Sequence, residues 1–238
     1  MNLLLLQADN MLNDNLAEIT GRQVRHIHET LNIQTGSTLT VGLLNQRIGQ
    51  ATVLELQKNS VKLKIKWTTS PPEALPLTLI IGLPRPKMLK RIIQTAATMG
   101  VKELYFINSW KVEKSFWQTP WLSEEKIVEN CILGLEQAKD TVMPNIYLRK
   151  LFKPFVEDEL GEISKNSLKL LAHPVSDKTC PADLKRQTTL VIGPEGGFTP
   201  YEVAKLEEIG FETVHLGPRI LRVETAVPVL LGRLFQSI

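Results

Sequence analysis

The sequence predicts an α/β protein in two parts. Residues 1–70 read as a small β-barrel with one inserted helix, and residues 71–238 as a mainly parallel, twisted sheet covered by helices on both faces. Three observations carry this. Val61-Lys62-Leu63-Lys64-Ile65-Lys66-Trp67 alternates strictly, which gives a strand one apolar face and one lysine face. The stretch 68–76 (TTSPPEALP) holds two adjacent prolines, which forbid helix and discourage a central strand, so it reads as a linker. Beyond it, apolar strands alternate with amphipathic helices, the pattern of strand–helix units in a parallel sheet.

The elements follow in order. Met1 to Leu6 looks briefly like the start of a signal peptide, but it has no basic residue, and Gln7, Ala8 and Asp9 end the apolar run too soon. Val24, Ile27, His28 and Leu31 share one face at helical spacing, predicting a helix over 22–31. Strands are expected over 37–43, 48–56 and 61–67, with turns at Asn45-Gln46-Arg47 and Lys58-Asn59-Ser60. In the second part, strands are expected over 77–82, within 101–108, and over 146–148, 168–172, 188–192 and 213–216. Helices are expected over 86–99, with Gly100 at the end, and over 124–139, 153–160 and 223–235. Thr199-Pro200-Tyr201-Glu202 supplies an N-cap threonine, a proline at the first helical position and a glutamate at the third, opening a helix that stops at Gly210. Trp110 to Leu122 is an aromatic-rich loop.

Composition excludes several classes. Of 238 residues, 43% are apolar and 22% charged, with a formal net charge of +3, which is far from the signature of disorder. Residues 1–70 carry seven basic and five acidic side chains, so neither part is basic enough to announce nucleic acid, and an anionic partner must be met by a local patch. No window approaches the ~18 consecutive apolar residues of a membrane span. Cys131 and Cys180 lie far apart, and His26, His28, His173 and His215 form no zinc spacing, so neither a disulfide framework nor a metal site is expected. A cytoplasmic protein is the expectation.

Two loops stand out chemically. Ile192-Gly193-Pro194-Glu195-Gly196-Gly197-Phe198-Thr199 joins an apolar strand to a capped helix, and ligands of open sheets sit at such strand ends. It is neither a Walker loop nor the usual dinucleotide fingerprint. Glu195 inside it disfavours phosphate and suits a neutral or cationic ligand; the plain alternative is a tight turn without a ligand. Leu216-Gly217-Pro218-Arg219-Ile220-Leu221-Arg222-Val223-Glu224-Thr225 also links a strand to a helix, and Arg222 can meet RNA or pair with Glu195 or Glu224. His173-Pro174 makes a third strand-end loop. Together these suggest one composite pocket. Arg22, Arg25, Arg47, Lys58, Lys62, Lys64 and Lys66 are candidate RNA-facing groups, with a solvated strand face as the plainer reading of the lysine row. Trp110, Lys111, Lys114, Phe116, Trp117 and Trp121 can stack a base, or plug the domain or a dimer interface.

The two C-terminal motifs, in this order and spacing, resemble those of the RsmE family of ribosomal RNA methyltransferases, members of the trefoil-knotted SPOUT superfamily. The resemblance extends over essentially the whole chain. It implies a PUA-like N-terminal barrel, an α/β-knot methyltransferase domain, and a homodimer. It also implies methylation, dependent on S-adenosylmethionine, of N3 of a uridine in 16S ribosomal RNA, at the position usually numbered 1498, on the free RNA or the 30S subunit. The implied cofactor contacts are Leu171, His173 and Pro174; Ile192 to Gly197; and Leu216, Gly217, Arg219, Ile220, Leu221 and Thr225. Arg222 is then expected to stabilise charge developing on the uracil carbonyls, and Glu195 to act as base or to orient Arg222. Departures from the family pattern fall at Thr95, Thr98 and Asp140 on and after two helices, with Lys139 beside the last as a further RNA-facing group. They bear on the RNA target more than on methyl transfer. Two alternatives remain: methylation of another RNA site by the same scaffold, or a non-catalytic RNA-binding or ribosome-assembly protein.

Overall fold

The computed structural model describes residues 2–30 and 33–236. The chain forms two compact units, one made of residues 2–73 with Ile132–Met143 and the other of Ala74–Cys131 with residues 144–236.

The first unit contains β1 (Leu4–Leu6), β2 (Met11–Asn13), β3 (Leu16–Thr20), α1 (Arg22–Thr30), β4 (Thr38–Leu43), β5 (Ile48–Leu56) and β6 (Ser60–Thr69). They form one six-stranded sheet in the order β1-β4-β5-β6-β3-β2, antiparallel except for the parallel β1–β4 pair. The alternation in β6 does what the sequence requires of it: Val61, Leu63 and Ile65 are buried and Lys64 and Lys66 exposed. Side chains from β1, β3, β4, β5, β6 and α1 converge on a single core, as in a barrel, with β1 and β2 at the two ends of the ladder. The leucine run at the start is a strand buried on both faces. Leu4 and Leu6 enter that core, while Leu3 and Leu5 pack with Leu135 on the other side. That double burial explains the continuous apolar run of Leu3 to Leu6. Helix α1 ends at Thr30; the expected face residue Leu31 lies outside the described residues.

The second unit contains β7 (Leu77–Gly82), α2 (Pro86–Thr98), β8 (Glu103–Ile107), two 3₁₀ turns (Lys114–Gln118 and Pro120–Leu122), and the first half of α3 (Glu124–Ala138). It continues with β9 (Asn145–Arg149), α4 (Phe152–Pro154), a π-helical segment (Phe155–Leu160), α5 (Gly161–Ile163), β10 (Leu168–Ala172), β11 (Thr188–Ile192), α6 (Pro200–Glu208), β12 (Glu212–Val214) and α7 (Val223–Leu234). All strands run parallel in the order β12-β10-β11-β7-β8-β9. The central strands β7 and β11 are buried throughout, as parallel strands between helical layers must be. The helix expected over 153–160 is longer, and it widens into a π turn whose Phe155, Val156 and Leu160 reach the core. The aromatic loop contains the two 3₁₀ turns.

The hydrogen bonding around the end of β12 places the site. His173 N–H donates to Val214 O at 2.9 Å, while His215 N–H donates to Lys178 O and Cys180 N–H to His215 O. The chain leaving β12 is thus bracketed on both sides by the loop between β10 and β11. That loop is fastened in turn to the end of α7, through Leu184 N–H to Leu234 O and Arg233 Nε to Cys180 O. Consecutive strands joined by short crossovers predict an open doubly wound sheet. Here the end of β12 instead lies between the two limbs of the β10–β11 connection, with Thr179 bridged in parallel to His215.

Candidate active site

At the C-terminal ends of β10, β11 and β12, three loops and the first turns of α7 enclose a cavity of about 420 Å³. This lies within the ~300–1,000 Å³ range of small-molecule sites. His173, Pro174, all of Ile192 to Gly197, and Leu216, Gly217, Arg219, Ile220, Leu221 and Arg222 line it. The sequence motifs therefore meet in space.

Local chemistry explains each wall. The glycine-rich loop closes a turn in which Gly197 N–H donates to Pro194 O at 2.8 Å, and Gly197 takes φ +70°, a conformation costly for other residues. Pro194 rests directly on Gly82 at the end of β7. A Cβ there would lie 2.5 Å from Pro194 Cδ and 2.6 Å from Pro194 N, so the loop's position depends on a glycine in a neighbouring strand. Thr199 Oγ1 accepts from Glu202 N–H, and the Glu202 carboxylate accepts from Thr199 N–H, the capping box expected from sequence. Glu195 Oε1 accepts from Arg85 N–H at 2.9 Å, which ties the loop to the start of α2 and gives this carboxylate a partner other than Arg222. Lys111 Nζ donates to Gly196 O at 2.8 Å.

On the opposite wall Gly217, at φ +121°, donates its N–H to His215 Nδ1 at 2.9 Å, fixing the turn that presents Arg219 to Leu221. Arg222 is the N-cap of α7 and exposed; its carbonyl accepts from Thr225 and Ala226. The His173 ring turns back on its own loop, with Nδ1 2.8 Å from Val175 O. Cys180 is buried under the bracketing loop. Burial pushes its thiol up to about 11, against the opposing pull of Arg233, so it is an inert thiol.

Two expected residues stand off the cavity. Leu171 packs into the hydrophobic core with Val191 and Phe198, and Ala172, on the other face of the strand, lines the cavity instead. Thr225 is exposed away from the lining, because the face of α7 turned to the cavity carries Val223, Ala226 and Leu230. Phe198, Val214 and His215 also line it. The 223/226/230 set is readable as a helical stripe. Val214 and His215 become neighbours because β12 pairs in parallel with β10, which sets Val214 beside Ala172.

The candidate RNA-facing residues lie in the first unit and do not form one row. Both oxygens of the buried Glu136 carboxylate accept from Arg22 Nη2, at 3.0 and 2.9 Å, so Arg22 serves the fold. Lys62 pairs with Glu55 at 3.0 Å across the β5–β6 ladder, and that partner raises its pKa. In the expected lysine row, Lys62 thus carries an exposed ion pair while Lys64 and Lys66 are exposed beside it. Arg47 stacks over Trp67, 5.0 Å from the ring centroid. Arg25 and Lys58 border a shallow recess with His28. Lys139 is exposed, at φ 57°. Asp140, where the family pattern departs, is buried, and its Oδ1 accepts from Val142 N–H, so it shapes the chain inside the unit. Among the described residues no group of three His, Cys, Asp or Glu side chains is placed to hold a metal, and no helix is long and apolar enough to cross a membrane.

Comparison with known proteins agrees with this geometry. The chain is 28% identical over 95% of its length, and 87% of the relative's, to ribosomal RNA small subunit methyltransferase E of Treponema pallidum. It is 27% identical to the protein of that name from Bacillus subtilis, over 87% and 85% of the two chains. Its fold matches that of ribosomal RNA small subunit methyltransferase E from Neisseria gonorrhoeae, solved bound to S-adenosylmethionine, with a TM-score of 0.74, 20% identity, and coverage of 96% and 95%. A Legionella pneumophila protein solved with the bound cofactor SAM gives a TM-score of 0.76 at 23% identity, over 97% and 95%. The family described as RNA methyltransferase domain matches residues 71–235, which includes every strand of the parallel sheet and every loop of the cavity. The chain belongs to the RNA methyltransferase domain family.

Proposed function

We propose that the cavity binds S-adenosylmethionine and that the chain methylates N3 of a uridine in 16S ribosomal RNA, the position usually numbered 1498. The observation that carries this is the meeting of the two glycine-bearing loops around one apolar cavity with Arg222 at its edge. The residues fit the cofactor. A Cβ on Gly197 or Gly217 would meet nothing within 4 Å, so their backbones face open space and can be approached closely. Ile192, Leu216 and Leu221 offer apolar walls to a purine, and Glu195 places a carboxylate near a cationic donor. S-adenosylmethionine supplies an electrophilic methyl group.

The chain's own residues do the rest. The exposed guanidinium of Arg222 lies where it can meet a uracil carbonyl. There it stabilises the negative charge that appears as N3 gives up its proton, which leaves to water through the open mouth of the cavity. Glu195, held by Arg85 N–H, positions the loop and the donor. Holding donor and nucleophile in line lowers the entropic part of the barrier. The target base leaves its stack to enter the cavity. Residues 1–70 serve as a PUA-like RNA-binding domain that offers Arg25, Lys58, Lys64 and Lys66, with Lys139, at the end of α3, in the same unit. The protein works as a cytoplasmic homodimer, for which the exposed Ile220 and Val229 beside the site offer apolar contact.

The test uses the purified protein with labelled S-adenosylmethionine and small-subunit particles or free 16S RNA lacking the modification, followed by mass mapping of the product. One new 3-methyluridine is expected. Binding of S-adenosylmethionine without that product would discard the uridine assignment, and absence of binding would discard both. Arg222→Ala is expected to lower turnover while leaving cofactor affinity within about threefold; unchanged turnover would remove Arg222 from the reaction.

A further inference from the structure

The aromatic segment after β8 contains one side chain that the fold does not use. Trp117 Nε1 donates to Asn108 Oδ1 at 2.9 Å, Trp121 carries Lys90 Nζ 5.1 Å from its ring centroid, and Phe116 is half-buried. Trp110 is 85% exposed. Its backbone is nonetheless held firmly: its N–H donates to Glu202 Oε1 at 2.7 Å, and the other oxygen of that buried carboxylate accepts from Thr199 N–H and Oγ1. The next residue, Lys111, is bound through Nζ to Gly196 O, so close that a Cβ on Gly196 would lie 3.0 Å from Lys111 Cβ. The step 110–111 is therefore fastened to the glycine-rich loop and to the cap of the helix that follows it. A large indole is displayed to water from a fixed backbone one residue from Lys111, which is bound to Gly196 of the cavity's wall. Exposed Lys114 stands in the same segment.

We propose that Trp110 is a stacking platform for a nucleobase of the RNA substrate, positioning the strand at the mouth of the cavity. This rests on the RNA methyltransferase reading above and adds a positioning residue to it. An indole face accepts any base, since every base has a π-face, and Lys114 supplies charge for the backbone. Phosphate contact alone would need no aromatic group.

The experiment compares wild type with Trp110→Ala, Trp110→Phe and Trp110→Leu in the full chain. Stacking of one base predicts a rise of about 10- to 100-fold in KM for RNA in the alanine variant, with KM for S-adenosylmethionine unchanged. Trp110→Phe is expected to recover most of the loss and Trp110→Leu little of it. A short single-stranded oligouridylate should quench tryptophan fluorescence in wild type, and the quench should vanish in Trp110→Phe while binding, followed by anisotropy of the labelled oligomer, persists. The proposal is overturned by an unchanged KM for RNA in Trp110→Ala, by leucine rescuing as well as phenylalanine, by absence of quenching in wild type, or by a loss of RNA affinity that follows dissociation of a dimer in sedimentation. Failure of methyl transfer by wild type would sink the functional reading instead, and the oligouridylate quench still decides the role of Trp110.

Discussion

Replacing Glu202 by alanine tests the coupling between the glycine-rich loop and the segment after β8. The side chain is 3% exposed, and its carboxylate accepts from Trp110 N–H, Thr199 N–H and Thr199 Oγ1 at 2.7, 2.8 and 3.0 Å. Truncation removes all three bonds and leaves two backbone donors without an acceptor. Each orphaned donor costs about 1–3 kcal/mol, and one of the two is the Thr199 N–H that the capping box satisfies. Water reaching the edge of the cavity restores part of this, so the net loss is about 3 kcal/mol. For a chain of this size that corresponds to a drop in melting temperature of about 6–12 °C. Urea unfolding followed by circular dichroism measures it. Glu202→Gln should lose nearly as much, because one oxygen becomes an NH₂ group facing an N–H. A Glu202→Ala protein within about 0.5 kcal/mol of wild type would refute the reasoning, since a surface change of that size needs no buried network.

Gly82→Ala is expected to push Pro194 and its loop off the end of β7, costing about 1–3 kcal/mol by overpacking and weakening S-adenosylmethionine at least tenfold by calorimetry. Cys131 and Cys180 should stay unlabelled by a maleimide at pH 8 until the chain is unfolded, because burial pushes their thiols up to about 12 and about 11. Both values are raised on folding. The stability that this contributes is therefore complete below the ordinary thiol value of 9.0 and is lost as pH climbs toward 11–12, so melts at pH 8 and pH 10.5 should differ, and less so with both cysteines changed to alanine. Ser109 Oγ is buried with no hydrogen-bond partner, so Ser109→Ala is expected to raise stability by about 1 kcal/mol in urea unfolding.

What the chain announced locally, it also built. The capping box at Thr199 and Glu202 needs only residues three apart, and the β6 alternation needs only its own period, so both were legible. The cavity residues were legible where a loop motif carried them, and less so where one face of a strand or helix had to be chosen. Leu171 and Ala172 are adjacent on a strand with apolar cover on both sides, and hydrophobicity does not tell the two faces apart. Thr225 sits outside the stripe of Val223, Ala226 and Leu230, which helical periodicity could have revealed. Lys62 finds Glu55 only because a register shift between Val53 and Glu55 brings the two together, and no composition rule anticipates a shifted ladder. The π turn at 155–160 has no period of its own in sequence. The first strand was hidden for a different reason. Its partner β4 lies more than thirty residues away and runs parallel, so no hairpin signal joins them.

The bracketing of the β12 exit by the 173–187 loop has a consequence for synthesis. Two of the cavity's walls, 173–174 and 192–198, precede residues 214–230 in the chain and have nothing to close around until those arrive beside the 178–180 segment, to which α7 is fastened through Leu234 and Arg233. A nascent polypeptide that has not yet reached α7 has no closed binding chamber, however well its earlier sheet has formed. Closure of the chamber thus waits on synthesis of α7, whose Val223, Ala226 and Leu230 complete its wall.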